Sequence, residues 1–573
     1  MTTRIDSFIT ALDSVDRPEI WIDLVDPSLL HDNATRLAGP LSGLLLAVKN
    51  NVDVAGLPTT AGCPGFATGP ATADAEVVRK LRAAGATVVG TTNLDQFATG
   101  LVGQRSPYGG VRDARRPDYV SGGSSSGSAV AVALGVADIA IGTDTAGSGR
   151  VPAALQGIVG IKPTLGVVST RGVLPACPSW DAVTIMARDL DTADLAMGLM
   201  AGGEGTRPFP TDTPLAAPPR PRVAVPDALP GLSTEWAAAF EHVVERVCAD
   251  DAATVERVPF GTFLDAARLL YDGGLVAERH ASVGAFVDAH CERVDPVVGQ
   301  IISRAGKVTA SQMVSDLDRL EELRVQSMAV LAGFDGLLMP TVPGHPTVAA
   351  VAADPVGVNS WMGTYTNFTN LFDMCAVAVP AGTAEGAQFG VTVVGQAFHD
   401  AVALDIARRV YTPAGSVAAE GAADPRAAGL QWVEAAGAKC VDIFVVGAHL
   451  PGQPLEREMT SRGARFVGPV STAAGYRLFA LDTEPPKPGL VSTPEAASAI
   501  RGGVWRMSPA ALGTFLDVLP APMTLGPVNL ADGRTVVGFG CNRSMVDGCR
   551  DITEFGGWLG YLSAEARSGA VSH

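Results

Sequence analysis

A chain of 573 residues is too long to close around one ordinary hydrophobic core, so at least two domains are expected. Its 47% apolar and 18% charged residues read as globular rather than disordered. A net charge of −17 argues against a nucleic-acid partner, which needs a basic footprint, and against an anionic membrane surface.

The amino-terminal stretch MTTRIDSFITALDSVD has no apolar run of signal-peptide length. The richest apolar segment, Ala129 to Gly142, is about 14 residues long and interrupted by Asp138, too short to span a bilayer. A cytoplasmic protein with no membrane partner is expected. Eight cysteines without a C-x-x-C pair signal neither a zinc site nor a disulfide framework, so free thiols are expected.

Residues 1–412 read as alternating strands and helices. GLLLAVKNNVDVAG is a strand running into a turn, Asp74 to Ala84 has helical spacing, and ATVVGTTN is a buried strand. This rhythm predicts an α/β domain, a sheet covered by helices on both faces. Residues 211–235, rich in Pro, Thr and Ala, read as a loop around one short strand, RVAVP. Residues 236–332 read as mostly helical. Residues 413–437 turn to Ala, Gly, Pro and Asp and read as a linker. Beyond it VDIFVVGAHL, YRLFALD, GGVWRM and RTVVGFGC are short strands between turns, so 438–573 is expected to be a smaller, mostly-β, barrel-like domain.

The densest chemical signal lies between Tyr119 and Gly166. Two Gly/Ser clusters, Ser121–Ser128 and Thr143–Gly149, flank an Ala/Val helix and an apolar strand. Glycine permits close backbone approach, and consecutive amides can hold an anion. A phosphate-binding loop would end in G-K-[ST], and a dinucleotide fold would carry G-x-G-x-x-G after a strand; neither is present. Hydrolysis of an amide needs a nucleophile, a base and oxyanion donors. None of the eight histidines falls in this region, which leaves a distant histidine or a lysine as base. A lysine at a strand end is ordinarily a solvated charge. Lys49, however, follows Leu44-Leu45-Leu46-Ala47-Val48, which would carry it inside, where burial favours the neutral amine.

Together these residues resemble the amidase signature family: G-G-S-S-S-G-S at 122–128, G-T-D-T-A-G-S-G-R at 142–150, G-I-V-G-I-K-P-T at 157–164 and A-V-K-N at 47–50. The resemblance implies a mixed α/β sheet with helices on both sides. It implies Ser148 as nucleophile, Ser124 as a bridging serine with a cis peptide bond, and Lys49 as general base. The amides of Thr145, Ala146, Gly147 and Ser148 would form the oxyanion hole. Ser124 would take the Ser148 proton and pass its own to neutral Lys49. Asp144 and Arg150 flank the nucleophile and are read as braces of its loop.

Two features narrow the substrate. LLYDGGLVAERHASV, 269–283, resembles a segment of allophanate hydrolases in which a tyrosine and an arginine hold the substrate carboxylate; here they are Tyr271 and Arg279. An unbroken helix would separate them by ~12 Å, so convergence needs the arginine's length or a break at Gly273-Gly274. The tail, with IFVVGAHLPGQPL, TAAGYRLFALDTEPPKPGLV and DITEFGGWLGYL, resembles the carboxy-terminal domain of allophanate hydrolases and, distantly, γ-glutamylcyclotransferase-type barrels. The resemblance implies hydrolysis of allophanate (urea-1-carboxylate) to ammonia and carbon dioxide, without metal or organic cofactor, by a homodimer. It also implies a histidine assisting decarboxylation, for which His449 is the candidate; a turn histidine satisfied by backbone is the alternative. Amidases of other small amides such as biuret, and ammonia-supplying amidotransferase subunits, share the first domain and stay open as readings.

Overall fold

A computed structural model describes residues 2–36, 38–249, 253–412 and 432–570. The chain forms two compact units, one of Met1–Pro208 with Arg220–Gly437 and one of Phe209–Pro219 with Ala438–His573.

The first unit is built on an eleven-stranded mixed sheet. Near its middle, Leu45–Lys49 runs parallel to both Thr87–Thr92 and Ile139–Asp144, and Ile139–Asp144 pairs antiparallel with Ala182–Ala187. All four strands are buried along their whole length, as strands covered on both faces must be. That burial is why LLLAVK and ATVVGTT read as unbroken apolar runs instead of alternating ones. The helix Ser126–Ala133 lies against the sheet and is buried from Ser126 to Val132, with Ala, Ser, Gly and Val all round. Its small residues are required: a Cβ on Gly127 would lie 2.3 Å from the Ile20 carbonyl oxygen.

Residues 236–332 are mostly helical as expected, with Gly261–Asp272, Ala277–Ala289 and Ala310–Val330 among their helices. The expectation missed the strand Thr254–Val258, an edge strand whose two middle residues, Glu256 and Arg257, are exposed. A core of Phe260, Phe263, Phe368 and Phe372 ties this helical portion to the sheet.

The second unit has sheets of five and three strands. They share a core of Phe444, Leu478, Leu490, Val504 and Trp558. Its division from the first unit differs from the contiguous one expected. Residues 209–219 group with 438–573, because the Leu215 amide donates to the Gly463 carbonyl and the Ala510 amide to the Thr211 carbonyl. Of the expected linker, 413–431 lie outside the described residues. Trp432–Ala435 is a short helix in the first unit, with Trp432 buried against Gly198.

All eight cysteines are free thiols. Among the described residues no helix is long and apolar enough to cross a membrane.

Candidate active site

Lys49 is the last residue of its strand, and the apolar run before it places the amine in the interior with no exposed surface. Nζ lies 2.8 Å from Ser124 Oγ and 2.7 Å from Thr143 Oγ1. Burial pushes the amine down to about 7, against the pull of Asp95, Asp181 and Asp144 and with the push of Arg279. In the charged state the ammonium donates to both hydroxyls. Once neutral, its lone pair can accept the Ser124 proton while an N–H still donates to Thr143.

The peptide bond Gly123–Ser124 is cis. Glycine at 123 is demanded by space, since a Cβ there would lie 2.2 Å from Asp95 Oδ2. The remaining serines of this cluster are structural. Ser125 Oγ bonds the Thr143 backbone, Ser126 Oγ donates to the Asn93 carbonyl, and Ser128 Oγ donates to the Ile141 carbonyl. Ser124 is thus singled out by its contact, not by its type.

Ser148 sits in a loop organised by a fully buried ion pair. The Asp144 carboxylate accepts Arg150 Nε at 2.9 Å and Nη2 at 3.0 Å, and also the amides of Gly147 at 2.8 Å and Gly149 at 3.0 Å. Burial alone would raise the Asp144 carboxyl; the Arg150 charge and hydrogen bonds outweigh it and hold the group below its ordinary value. Removing one partner of such a pair strands a buried charge, at a cost of about 3–5 kcal/mol. The bracing role expected for these two residues matches this geometry.

One oxyanion assignment is corrected here. The Gly147 amide is committed to Asp144, because the carboxylate folds back over its own loop. The amides of Thr145, Ala146 and Ser148 have no hydrogen-bond partner among the described residues and are the donors left for an oxyanion. Position 147 still needs glycine, having φ 122° and a Cβ that would lie 2.4 Å from Thr366 Oγ1.

The relay is only half closed. Ser148 Oγ is 3.5 Å from the Gly100 carbonyl oxygen, at the outer limit of a hydrogen bond, and among the described residues none joins it to Ser124.

Tyr271 and Arg279 converge. The helix Gly261–Asp272 ends at extended Gly273, a single turn Gly274–Val276 follows, and Arg279 lies in the next helix. Arg279 Nη2 donates to the Tyr271 hydroxyl at 3.1 Å, and Nη1 to Thr99 Oγ1 at 3.0 Å and the Ala98 carbonyl at 3.3 Å. Arg279 is 2% exposed. Its Nε has no partner, and among the described residues no carboxylate lies within ion-pairing distance. Moving a cation from water into protein costs several kcal/mol, which hydrogen bonds to neutral groups at about 1.5–3 kcal/mol each offset only in part. The site therefore presents a buried positive charge still able to take an anion. Asp181 is the nearby carboxylate whose charge reaches both Arg279 and Lys49. It is itself half-buried, accepting Thr145 Oγ1 and the Ala176 and Cys177 amides.

His449 belongs to the second unit. Its Nε2 lies 2.9 Å from Glu458 Oε2, and its ring stacks on Phe539 with centroids 4.8 Å apart. The ring is therefore held by a carboxylate and not by backbone. It lines a small pocket with Glu458, Lys487, Pro488, Phe515 and Phe539. Burial lowers its affinity for a proton, and Glu458 opposes this.

Sequence reasoning missed Thr143, Asp95, Asp181 and Thr99. The first two stand inside readable motifs, G-T-D-T and N-L-D-Q, but their contacts depend on how distant strands meet.

The chain is similar to known proteins along most of its length. The family model described as Amidase matches residues 28–404, and the one described as Allophanate hydrolase C-terminal domain matches 441–563. The urea amidolyase of Saccharomyces cerevisiae is 39% identical over 572 residues, covering 95% of this chain and 31% of that protein. The chain thus spans about a third of the urea amidolyases it matches. A glutamyl-tRNA(Gln) amidotransferase subunit of Symbiobacterium thermophilum is 32% identical over 404 residues, covering 64% of this chain and 82% of its own. The structure of Kluyveromyces lactis allophanate hydrolase superposes with a TM-score of 0.87 at 36% identity, covering 98% of this chain and 97% of that one. On these matches the chain belongs to the amidase family and carries behind its amidase domain a region that matches the allophanate hydrolase carboxy-terminal domain.

Proposed function

We propose that the chain hydrolyses the terminal amide of allophanate through Ser148, Ser124 and Lys49, releasing ammonia and then carbon dioxide. The observation that carries the substrate assignment is Arg279, a buried guanidinium without a carboxylate partner, which shares its neighbourhood with the Lys49–Ser124 pair. An amide that ends in a carboxylate supplies the missing charge.

In this reading Ser148 Oγ adds to the terminal amide carbon while its proton passes to Ser124 and the Ser124 proton to Lys49. The new oxyanion is met by the free amides of the 145–148 loop. On collapse the leaving NH2 group takes back that proton along the same path and departs as ammonia, leaving an ester on Ser148. Water then attacks that ester and frees N-carboxycarbamate. Its loss of carbon dioxide requires the nitrogen to gain a proton, and His449, oriented by Glu458 in a pocket that Lys487 also lines, is the candidate donor. His449→Ala should spare release of the first ammonia and slow release of carbon dioxide, which a coupled assay of both products reads. Equal slowing of both would remove His449 from this role.

The substrate is tested by measuring ammonia release from allophanate beside biuret, its uncharged isostere. Allophanate should be turned over with much the higher kcat/KM. Equal or better turnover of biuret would overturn the assignment.

A further inference from the structure

The segment between Gln96 and Gly100 touches both ends of the site. The Gly100 carbonyl accepts from Ser148 Oγ at 3.5 Å, while the preceding residues, Ala98 and Thr99, hold Arg279 Nη1 at 3.3 and 3.0 Å. One peptide link therefore separates the contact to the nucleophile from the contact to the anion receptor.

This segment is held in a shape that its sequence resists. Phe97 and Ala98 have φ 52° and 53°, in the left-handed region that non-glycine residues seldom occupy, at a cost of order 1–3 kcal/mol each. The fold fixes it from several sides. Phe97 packs edge-on against Phe286, a residue of the same helix as Arg279, with centroids 6.1 Å apart. Buried Arg105 donates to the Thr99 carbonyl at 2.9 Å, and the Asp295 amide donates to Gln96 Oε1 at 2.7 Å. Gly100 cannot move toward Asp95, since even a Cβ there would lie 2.5 Å from Oδ2. The Thr99 hydroxyl is fully committed: it donates to the Phe97 carbonyl at 3.2 Å and accepts from Arg279. Backbone strain held in a turn between the nucleophile and the arginine is the pattern expected of a positioning element.

We propose that Thr99 is a specificity-determining positioning residue: with the strained Phe97–Ala98 turn it fixes the span from Ser148 to Arg279, and so selects short amides carrying a carboxylate at one set distance from the scissile carbon. The inference rests on the substrate reading above and extends it to a residue that touches neither substrate nor the reacting atoms. Without the hydroxyl, Nη1 keeps only the longer bond to Ala98, and the guanidinium plane can tilt away from a bidentate fit.

The test compares Thr99→Val, Thr99→Ala and Thr99→Ser on allophanate and biuret. A hydrogen bond to a charged group corresponds to a change on the order of ten- to a hundredfold. Thr99→Val should raise KM for allophanate by that amount with kcat changed less than about twofold, the signature of lost ground-state and transition-state binding alike. Thr99→Ala, which removes the hydroxyl without adding bulk, should do the same, and Thr99→Ser should restore wild-type KM. The allophanate-to-biuret ratio of kcat/KM should shrink in Val and Ala and recover in Ser. A fall in kcat on both substrates with KM unmoved, or a Ser variant behaving like Val, would overturn the inference. Wild-type enzyme without preference for allophanate would overturn the substrate reading and the inference with it.

Discussion

Two lysines end buried strands of the same sheet, and only one meets side-chain hydroxyls. Lys49 closes Leu45–Lys49 and Lys162 closes Val159–Lys162; neither has any exposed surface. Burial drives both amines down, to about 7 for Lys49 and about 8 for Lys162. Their partners differ. Lys162 donates to the carbonyls of Pro163 at 2.9 Å and Met374 at 2.6 Å, which accept hydrogen bonds but have no proton to give. Lys49 meets the hydroxyls of Ser124 and Thr143, which can donate as well as accept. Desolvation makes a neutral amine accessible. A hydroxyl partner makes it useful, because only then does the lone pair have a proton within reach.

The comparison breaks first at the lysines themselves. Lys49→Met should lower kcat by roughly 10²–10⁴, the range for loss of a general base, and remove the fall in rate on the acid side of the pH profile. In wild type that fall should set in near pH 7, because Lys49 is protonated and idle below its value of about 7 and neutral above it. Lys162→Met should leave the acid limb where it is, whatever it does to thermal stability. Were the two variants to alter the pH profile alike, burial rather than the hydroxyl partner would define the base. The next step is smaller. Thr143→Val keeps the shape and deletes one acceptor from Lys49, so kcat should fall about tenfold with KM unmoved. A change in KM alone would mean that Thr143 serves the substrate and not the amine.

The same contrast shows how far the sequence could be read. LLLAVK announced a buried strand, and with it a lysine in the interior, because period and composition are local properties. The two Gly/Ser clusters announced close backbone approach, and Gly123 and Gly147 do sit where a Cβ would collide. The Tyr271–Arg279 convergence was readable as a condition, a break at Gly273-Gly274, which the structure meets. What was not legible depends on long-range geometry. The Gly147 amide was assigned to the oxyanion because nothing in G-T-D-T-A-G-S says that Asp144 folds back to take it. Thr99 lies 180 residues from the guanidinium it holds. Residues 209–219 look like a Pro/Thr-rich loop, and their place in the second unit rests on bonds to Gly463 and Ala510. Strand Thr254–Val258 has exposed, charged Glu256 and Arg257 at its middle, so neither a buried run nor clean alternation marks it within a helical stretch.

The subtlest test concerns the field around Lys49. Four charged groups lead the field on the amine: Asp95, Asp181 and Asp144 favour its protonated form, in that order of strength, and Arg279 opposes it. Asp144 braces the nucleophile loop and Asp95 anchors the Gly103 and Arg105 amides, so replacing either confounds charge with structure. Asp181 is the usable probe. Asparagine keeps an oxygen for the Ala176 and Cys177 amides and offers an N–H to Thr145 Oγ1 where the carboxylate now accepts. Removing its negative charge removes one of the influences that raise the Lys49 value, so the amine should become neutral at lower pH. The acid limb of kcat/KM should then move to lower pH, and the rate well above pH 7 should change less than the rate below it. Burial raises the Asp181 carboxyl above its ordinary value, which ties the outcome to its charge in the working enzyme. A limb that stays in place would show that Asp181 is neutral there and that Asp95 and Asp144 alone set the base. A limb that moves to higher pH would contradict the electrostatic account of Lys49 altogether.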